Sequence, residues 1–151
     1  MTTVSVERTF DAPIDEVRAV LRDMEGIFED AGFDVECEAG RVHLKKSIGP
    51  SEIELDIAFL EEESAAVGYE QIDGPFETMK TRYFLQSARG GTRLQVETAY
   101  KTPRFGWGSF LNSALVKRQR QNELAAIGDR LEISTVSSET TETGRPIEGG
   151  M

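Results

Sequence analysis

From Phe33 to Lys101 the apolar residues of this 151-residue chain return at every second position, and that alternation limits its fold more than any other feature. Val35 and Cys37 alternate first, then Val42 and Leu44 beyond Ala39-Gly40. Ile53, Leu55, Ile57 and Phe59 follow, with Glu52, Glu54 and Asp56 between them. Val67, Tyr69 and Gln71 come next, then Met79, Thr81, Tyr83 and Leu85, then Leu94, Val96, Thr98 and Tyr100. Successive side chains of a strand point to opposite faces, so a period of two describes a sheet with one dry face and one wet face. Gly49-Pro50-Ser51, Asp73-Gly74-Pro75 and Gly90-Gly91 supply turn chemistry between the runs. Turns this short connect antiparallel neighbours, so the region is a meander of six strands.

The flanks complete the order of elements. Val4, Val6 and Phe10 predict a further strand over residues 2–10. In DAPIDEVRAVLRDMEGIFEDAG, Pro13 suits a first helical position, and Asp15 and Glu16 suit the positive end of a helix dipole. Ile14, Val17 and Leu21 share a helical face; Gly26 separates this helix from a shorter one carrying Ile27, Phe28 and Ala31, which Gly32 stops. After Pro103 and RFGWGS a long helix is expected from Ser109, its N-cap, to Glu132. Residues 134–151, STVSSETTETGRPIEGGM, hold few large apolar groups and are expected to form a disordered acidic, polar tail behind a single domain of residues 1–133. The expectation is an α+β fold: a curved seven-stranded antiparallel sheet wrapped around a long C-terminal helix, with two short helices after the first strand. One cylinder does not fill such a concavity, so space between helix and sheet is expected as well.

Composition removes several function classes. The single cysteine, Cys37, excludes a disulfide framework and multi-thiolate zinc sites. The net charge of −10 repels nucleic acid. The excess is 19 Glu and 8 Asp against 12 Arg and only 5 Lys. Such a surface fits a halophilic source, where salt screens self-repulsion, or an acidic protein of ordinary milieu; a fold that loosens in low salt favours the first. The chain shows neither a basic-then-apolar leader nor an apolar stretch near about 20 residues, so a soluble, cytoplasmic protein is expected.

The element order resembles the helix-grip fold of the START-like superfamily, also called SRPBCC, over residues 2–132. FDAPIDEVRAVLRD, Phe10–Asp23, is similar to that family's strand-to-helix opening. Gly74-Pro75-Phe76, Met79, Tyr83, Leu85 and Gly90-Gly91-Thr92 resemble the spacing of the polyketide cyclase and coenzyme Q-binding branch, with Tyr83 and Leu85 where that branch usually has Trp and Phe. The resemblance implies a hydrophobic small-molecule ligand (a lipid, an isoprenoid quinone or a polyketide-like compound) held between sheet and helix, and no cofactor. A cyclase or dehydratase-type enzyme and a protein-interaction module remain the alternatives. No catalytic residue is assigned, although Tyr69, Tyr83, Tyr100 and Arg118 are the candidates if the chain is an enzyme.

The expected cavity lining is Ile57, Phe59, Tyr69, Gln71, Met79, Thr81, Tyr83, Leu94, Val96, Thr98 and Tyr100 from the strands, with Trp107, Phe110, Ala114, Arg118 and Gln121 from the helix and the segment before it. An apolar wall with few polar groups is how small-molecule sites are built; the bland alternative is a filled core. At 100° per residue Phe110, Ala114, Gln121, Ala125 and Gly128 share one stripe, with Lys117 and Arg118 at its edges and Arg120 facing water. Arg118 or Gln121 would then meet a polar head of a ligand, or the helix's basic residues simply pair with the acidic sheet. In Arg104–Phe110 the glycines allow a sharp corner with Phe105 and Phe110 buried; alternatively Trp107 tips a gate or a transient membrane contact. His43 reads as a surface residue, Cys37 and His43 as a chance pair, and Glu61-Glu62-Glu63 as a solvated strand end.

Overall fold

The computed structural model describes residues 1–103 and 111–143, with the backbone alone over 133–143. Its elements are β1 (Thr2–Phe10), α1 (Ile14–Leu21), α2 (Met24–Asp30), β2 (Asp34–Glu38), β3 (Arg41–Ile48), β4 (Ser51–Leu60), β5 (Val67–Asp73), β6 (Thr78–Ala88), β7 (Gly91–Lys101) and α3 (Ser113–Thr143). The strands form one antiparallel sheet in the order β1-β7-β6-β5-β4-β3-β2. The meander runs in sequence order from β2 to β7, and β1 closes the row by pairing with β7. Ala39 and Gly40 join β2 to β3 with φ of 48° and 79°, as a two-residue turn matching strand twist requires. This is the helix-grip architecture.

The dry face is the one the alternation marks. Val42, Leu44, Ile53, Leu55, Ile57, Tyr69, Met79, Tyr83, Leu94, Val96 and Tyr100 are all buried there, beneath α1, α2 and α3. Two hydroxyls on this face satisfy each other: Thr81 lies opposite Thr98 across β6 and β7, and their Oγ1 atoms are 2.8 Å apart. Neither is exposed to solvent.

The helices depart from expectation in four respects. Asn112, whose Oδ1 accepts from the Leu115 N–H at 2.9 Å, caps α3; Ser109 lies outside the described residues. Helix α3 also runs on to Thr143, past the expected end at Glu132, and residues 144–151 lie outside the described residues. Gly26 sits inside α2 rather than between helices, and the chain breaks at Asp23, which caps α2 by accepting from the Gly26 N–H at 3.2 Å. A Cβ on Gly26 would collide with the side chains of Arg130 and Asp23, so close approach explains this glycine. Arg130, on α3, binds Asp23 at 2.8 Å and Asp30 at 2.7 Å, spanning α2 from cap to last residue.

The fourth departure is the phase of α3. Its buried stripe is Val116, Arg120, Glu123, Ile127 and Leu131, flanked by Gln119, Leu124 and Ala126. Of the stripe expected from the small residues, Gly128 is buried, against the Arg8 guanidinium, whereas Ala114, Gln121 and Ala125 are exposed. Arg120 therefore faces the core, and Lys117 and Arg118 face water. The branched apolar residues decide the phase because they gain the most by burial, and they carry two charged residues inward with them. Accordingly, Ile127→Ala should cost about 2–5 kcal/mol in urea denaturation, whereas Arg118→Ala should change stability by less than about 0.5 kcal/mol.

Candidate ligand site

Tyr69 on β5 and Tyr83 on β6 lie diagonally across neighbouring strands, with ring centroids 6.4 Å apart. Both hydroxyls reach Glu123 of α3: Tyr83 donates to Oε1 and Tyr69 donates to the same oxygen at 3.3 Å. Arg120 Nη1 donates to both Glu123 oxygens at 2.9 Å and to the Tyr69 hydroxyl. Gln119 Nε2 adds a bond to Glu123 Oε2 at 3.1 Å. A carboxylate with no solvent exposure would cost several kcal/mol without such partners, and every lone pair direction of Glu123 is used. Burial, then the charge of Glu123 and the hydrogen bond to it, hold the Tyr83 hydroxyl well above the usual phenol range. Tyr83 is thus a neutral donor to the Glu123 carboxyl group. Arg120 Nε, also buried, has no hydrogen-bond partner.

This network forms the polar end of a cavity of about 40 Å³. Phe28, Phe33, Leu44, Ile53, Leu55, Met79 and Val116 make its apolar wall, and the half-buried Ile48, Phe76 and Leu115 its outer end. Tyr69, Gln119, Arg120 and Glu123 line the polar end. One water needs about 10–15 Å³ on this measure, so the space holds a few waters and is well below the roughly 150 Å³ that accepts benzene.

The Gly74-Pro75-Phe76 turn is part of the rim. The Gln71 side chain clamps Phe76 at both backbone groups: its Nε2 donates to the Phe76 carbonyl at 2.8 Å and its Oε1 accepts from the Phe76 N–H at 3.2 Å. Gly74 packs so closely that a Cβ would stand 2.5 Å from Gln71 Oε1 and 2.7 Å from Leu55 Cβ. The Phe76 ring meets Tyr100 edge-on at 5.5 Å.

Among the residues expected to line the site, Tyr69 and Met79 border the cavity, and Tyr83 stands behind it through Glu123. The others are placed elsewhere. Ile57, Leu94 and Val96 are fully buried core; Thr81 and Thr98 bond each other; Gln71 is engaged with Phe76. Tyr100 turns its hydroxyl to Ser113 Oγ at 3.1 Å. Phe59, at the end of β4, is 41% exposed, because the strand runs past its helical cover. Ala114, Arg118 and Gln121 are exposed on the far side of α3. Trp107, Phe110 and the whole corner Phe105–Phe110 lie outside the described residues. Sequence reasoning missed Lys46, Gln119, Arg120 and Glu123. The signal was present: an oppositely charged pair at i, i+3 inside the stripe Val116, Ile127 and Leu131.

Outside the cavity the titratable groups are paired locally. His43 does not meet Cys37: its Nδ1 lies 2.5 Å from Asp56 and its Nε2 2.7 Å from Glu54, while Cys37 Sγ donates to Glu25 at 3.0 Å. Glu62 binds Arg82 at 2.6 Å. Among the described residues no group of three or more His, Cys, Asp or Glu side chains is placed to hold a metal ion, and no helix is long and apolar enough to cross a membrane.

No family model matches this chain, and no curated protein matches it in sequence. Solved structures do. TTHA0849 from Thermus thermophilus is 16% identical with a TM-score of 0.71, the match covering 88% of this chain and 99% of that one. A START superfamily protein from Mycobacterium smegmatis is 16% identical with a TM-score of 0.67, covering 86% and 97%. The Zhui aromatase/cyclase from Streptomyces sp. R1128 is 18% identical with a TM-score of 0.57, covering 99% of each. The likeness is one of fold: the chain shares its helix-grip architecture with these proteins.

Two outcomes follow. Arg120→Met should destabilise by about 3–5 kcal/mol by leaving the buried Glu123 carboxylate without its counter-charge, and Arg120→Met combined with Glu123→Leu should recover most of that loss in urea denaturation. The single imidazole should titrate above its ordinary value, because the hydrogen bonds to Asp56 and Glu54 outweigh burial. A raised value means that the stability His43 adds is complete below about pH 6.5 and is lost as pH rises through the folded-state value. An NMR titration of the wild type and of Asp56→Asn, which should titrate lower, checks this.

Proposed function

We propose that this protein binds or carries a hydrophobic small molecule between the sheet and α3. The observation that carries this reading is the wall: seven apolar side chains from α2, β2's approach, β3, β4, β6 and α3 converge on one space with a single polar end. That is the composition of a small-molecule site. The space is narrow, so binding entails outward displacement of the rim. Leu55 and Phe76 also border an open cleft of about 650 Å³ lined by Pro75, Pro103 and the carboxylates of Glu52, Glu54, Asp56 and Asp73. One layer of side chains thus divides the cavity from solvent there. A lipid, an isoprenoid quinone or a polyketide-like compound would fit such a wall, and the aromatase/cyclase and START neighbours support that range.

A cyclase-type enzyme is the second reading, and one observation favours it. The neutral Tyr83 hydroxyl touches the Glu123 carboxyl group at the cavity wall, two groups capable of proton transfer held a hydrogen bond apart. An interaction module draws no support of that kind: the large apolar side chains exposed among the described residues, Met1, Phe59 and Ile72, form no described groove.

Native mass spectrometry of protein purified from its own host tests the binding reading. The expected result is a bound apolar compound at stoichiometric level, lost in Leu44→Phe, which fills the cavity. A ligand at a hundred times its Kd should add about 2.7 kcal/mol of stability, visible as a raised Tm. Wild-type protein that carries nothing, and whose Tm no apolar compound raises, would end the proposal.

A further inference from the structure

Among the described residues, the one buried side-chain nitrogen or oxygen with no hydrogen-bond partner is a donor at the polar end of the cavity, Arg120 Nε. Glu123 has no hydrogen-bonding capacity to spare: Oε1 accepts from Tyr69, Tyr83 and Arg120, and Oε2 accepts from Arg120 and Gln119. The Tyr69 hydroxyl donates to Glu123 and accepts from Arg120. The N–H of Arg120 Nε is buried and wholly unpartnered in a residue only 7% exposed, and Gln119 and Lys46 hold further N–H groups beside it. Lys46 stands behind this wall. Its Nζ donates to the Ala31 carbonyl at 2.9 Å and to Gln119 Oε1 at 2.8 Å, and lies 5.5 Å from the centroid of Phe33. All of these are neutral partners.

The charge count agrees with the donor count. Lys46 and Arg120 bring two positive charges and Glu123 one negative, which leaves one cation without a counter-charge at the closed end of an apolar cavity. That excess stands in a protein whose net charge is −10, on Lys46, which is half-buried. Burial, with Arg120 adding to it and Glu123 opposing it, lowers the Lys46 ammonium below the ordinary lysine range, so its charge is held at a cost that an incoming anion would relieve.

We infer that the cavity takes an anionic ligand, an apolar body ending in one carboxylate or equivalent acceptor group, whose head docks on Arg120 Nε and Gln119 with Lys46 supplying the balancing charge. This rests on the binding reading above and narrows it. A neutral apolar ligand would leave the Arg120 Nε–H unpaired, and a cationic one would add a third positive charge beside Arg120 and Lys46. The carboxylate of Glu123 serves to orient the guanidinium, and it is the ligand that would neutralise the site.

The test compares probes that differ only at the head. Decanoate, 1-decanol and decylammonium form one set, and 2-naphthoate and 2-naphthalenemethanol a second, titrated calorimetrically into the wild-type chain at pH 7.5. In at least one set the acid should bind about ten-fold or more tighter than the alcohol, the value of a charge-assisted hydrogen bond in a buried site. Lys46→Met should remove most of that ratio, and Arg118→Ala, on the exposed side of α3, should leave both the ratio and alcohol binding intact. The acid, not the alcohol, should also shift the Arg120 Nε–H resonance in a nitrogen-correlated NMR spectrum, a readout that needs no destabilised variant. Equal binding of acid and alcohol would overturn this inference and leave the binding reading standing. Tightest binding of decylammonium would do the same. Failure of every probe to bind would overturn both.

Discussion

Glu123 is the charge around which this molecule is organised. It has no access to water, and its five hydrogen bonds come from two strands and from its own helix. Those bonds do more than offset desolvation. They fix the rotation of α3 about its axis, because any other phase would bury Arg120 or Glu123 without the other or without the tyrosines. They also fix which sheet residues meet the helix, since the two tyrosine hydroxyls converge on one carboxylate oxygen. A buried ion pair of this kind adds little net stability against an apolar alternative, and its plainest effect is on which arrangement is adopted.

The fold was legible in the sequence because strand alternation depends on nothing distant. Each residue of β4 announces its face by its immediate neighbours, as Ile53, Leu55 and Ile57 do against Glu52, Glu54 and Asp56. Turn residues at Ala39-Gly40, Gly49-Pro50 and Gly90-Gly91 mark the strand ends just as locally. The site was legible only in part, for the opposite reason. Tyr69 and Met79 follow from alternation alone. Arg120 and Glu123 look like surface residues by type, and what makes them interior is a partner on a strand tens of residues away. The stripe of small residues offered a competing phase, and only the bulk of Val116, Ile127 and Leu131 decides against it. Phe59 shows the converse limit: its period is right, and the cover simply stops short of it.

The stretch Asp73-Gly74-Pro75-Phe76 illustrates how a turn can carry structural information beyond its own geometry. Gly74 allows the chain to lie against Leu55 and the Gln71 amide, and that amide in turn grips the backbone of Phe76. The aromatic at the rim is therefore positioned by the strand before it, not by the loop. A side chain expected to touch a ligand instead holds the residue that does border the cavity.

Arg130 holds α3 firmly to α2, whereas the first residue of the helix is held more lightly, by one hydrogen bond between Tyr100 and Ser113. The two ion pairs of Arg130 tie α3 to both ends of α2, beyond the closed end of the cavity, while Leu115 and Val116 line the cavity from the first turns of the same helix. A rod held firmly at one point and lightly further along tilts about the firm point, and a small angle there becomes a larger displacement at the lighter hold. Volume between helix and sheet is therefore gained first beside Leu115 and Phe76 and last beside Glu123, so the cavity can widen at its mouth while the charged floor keeps its shape.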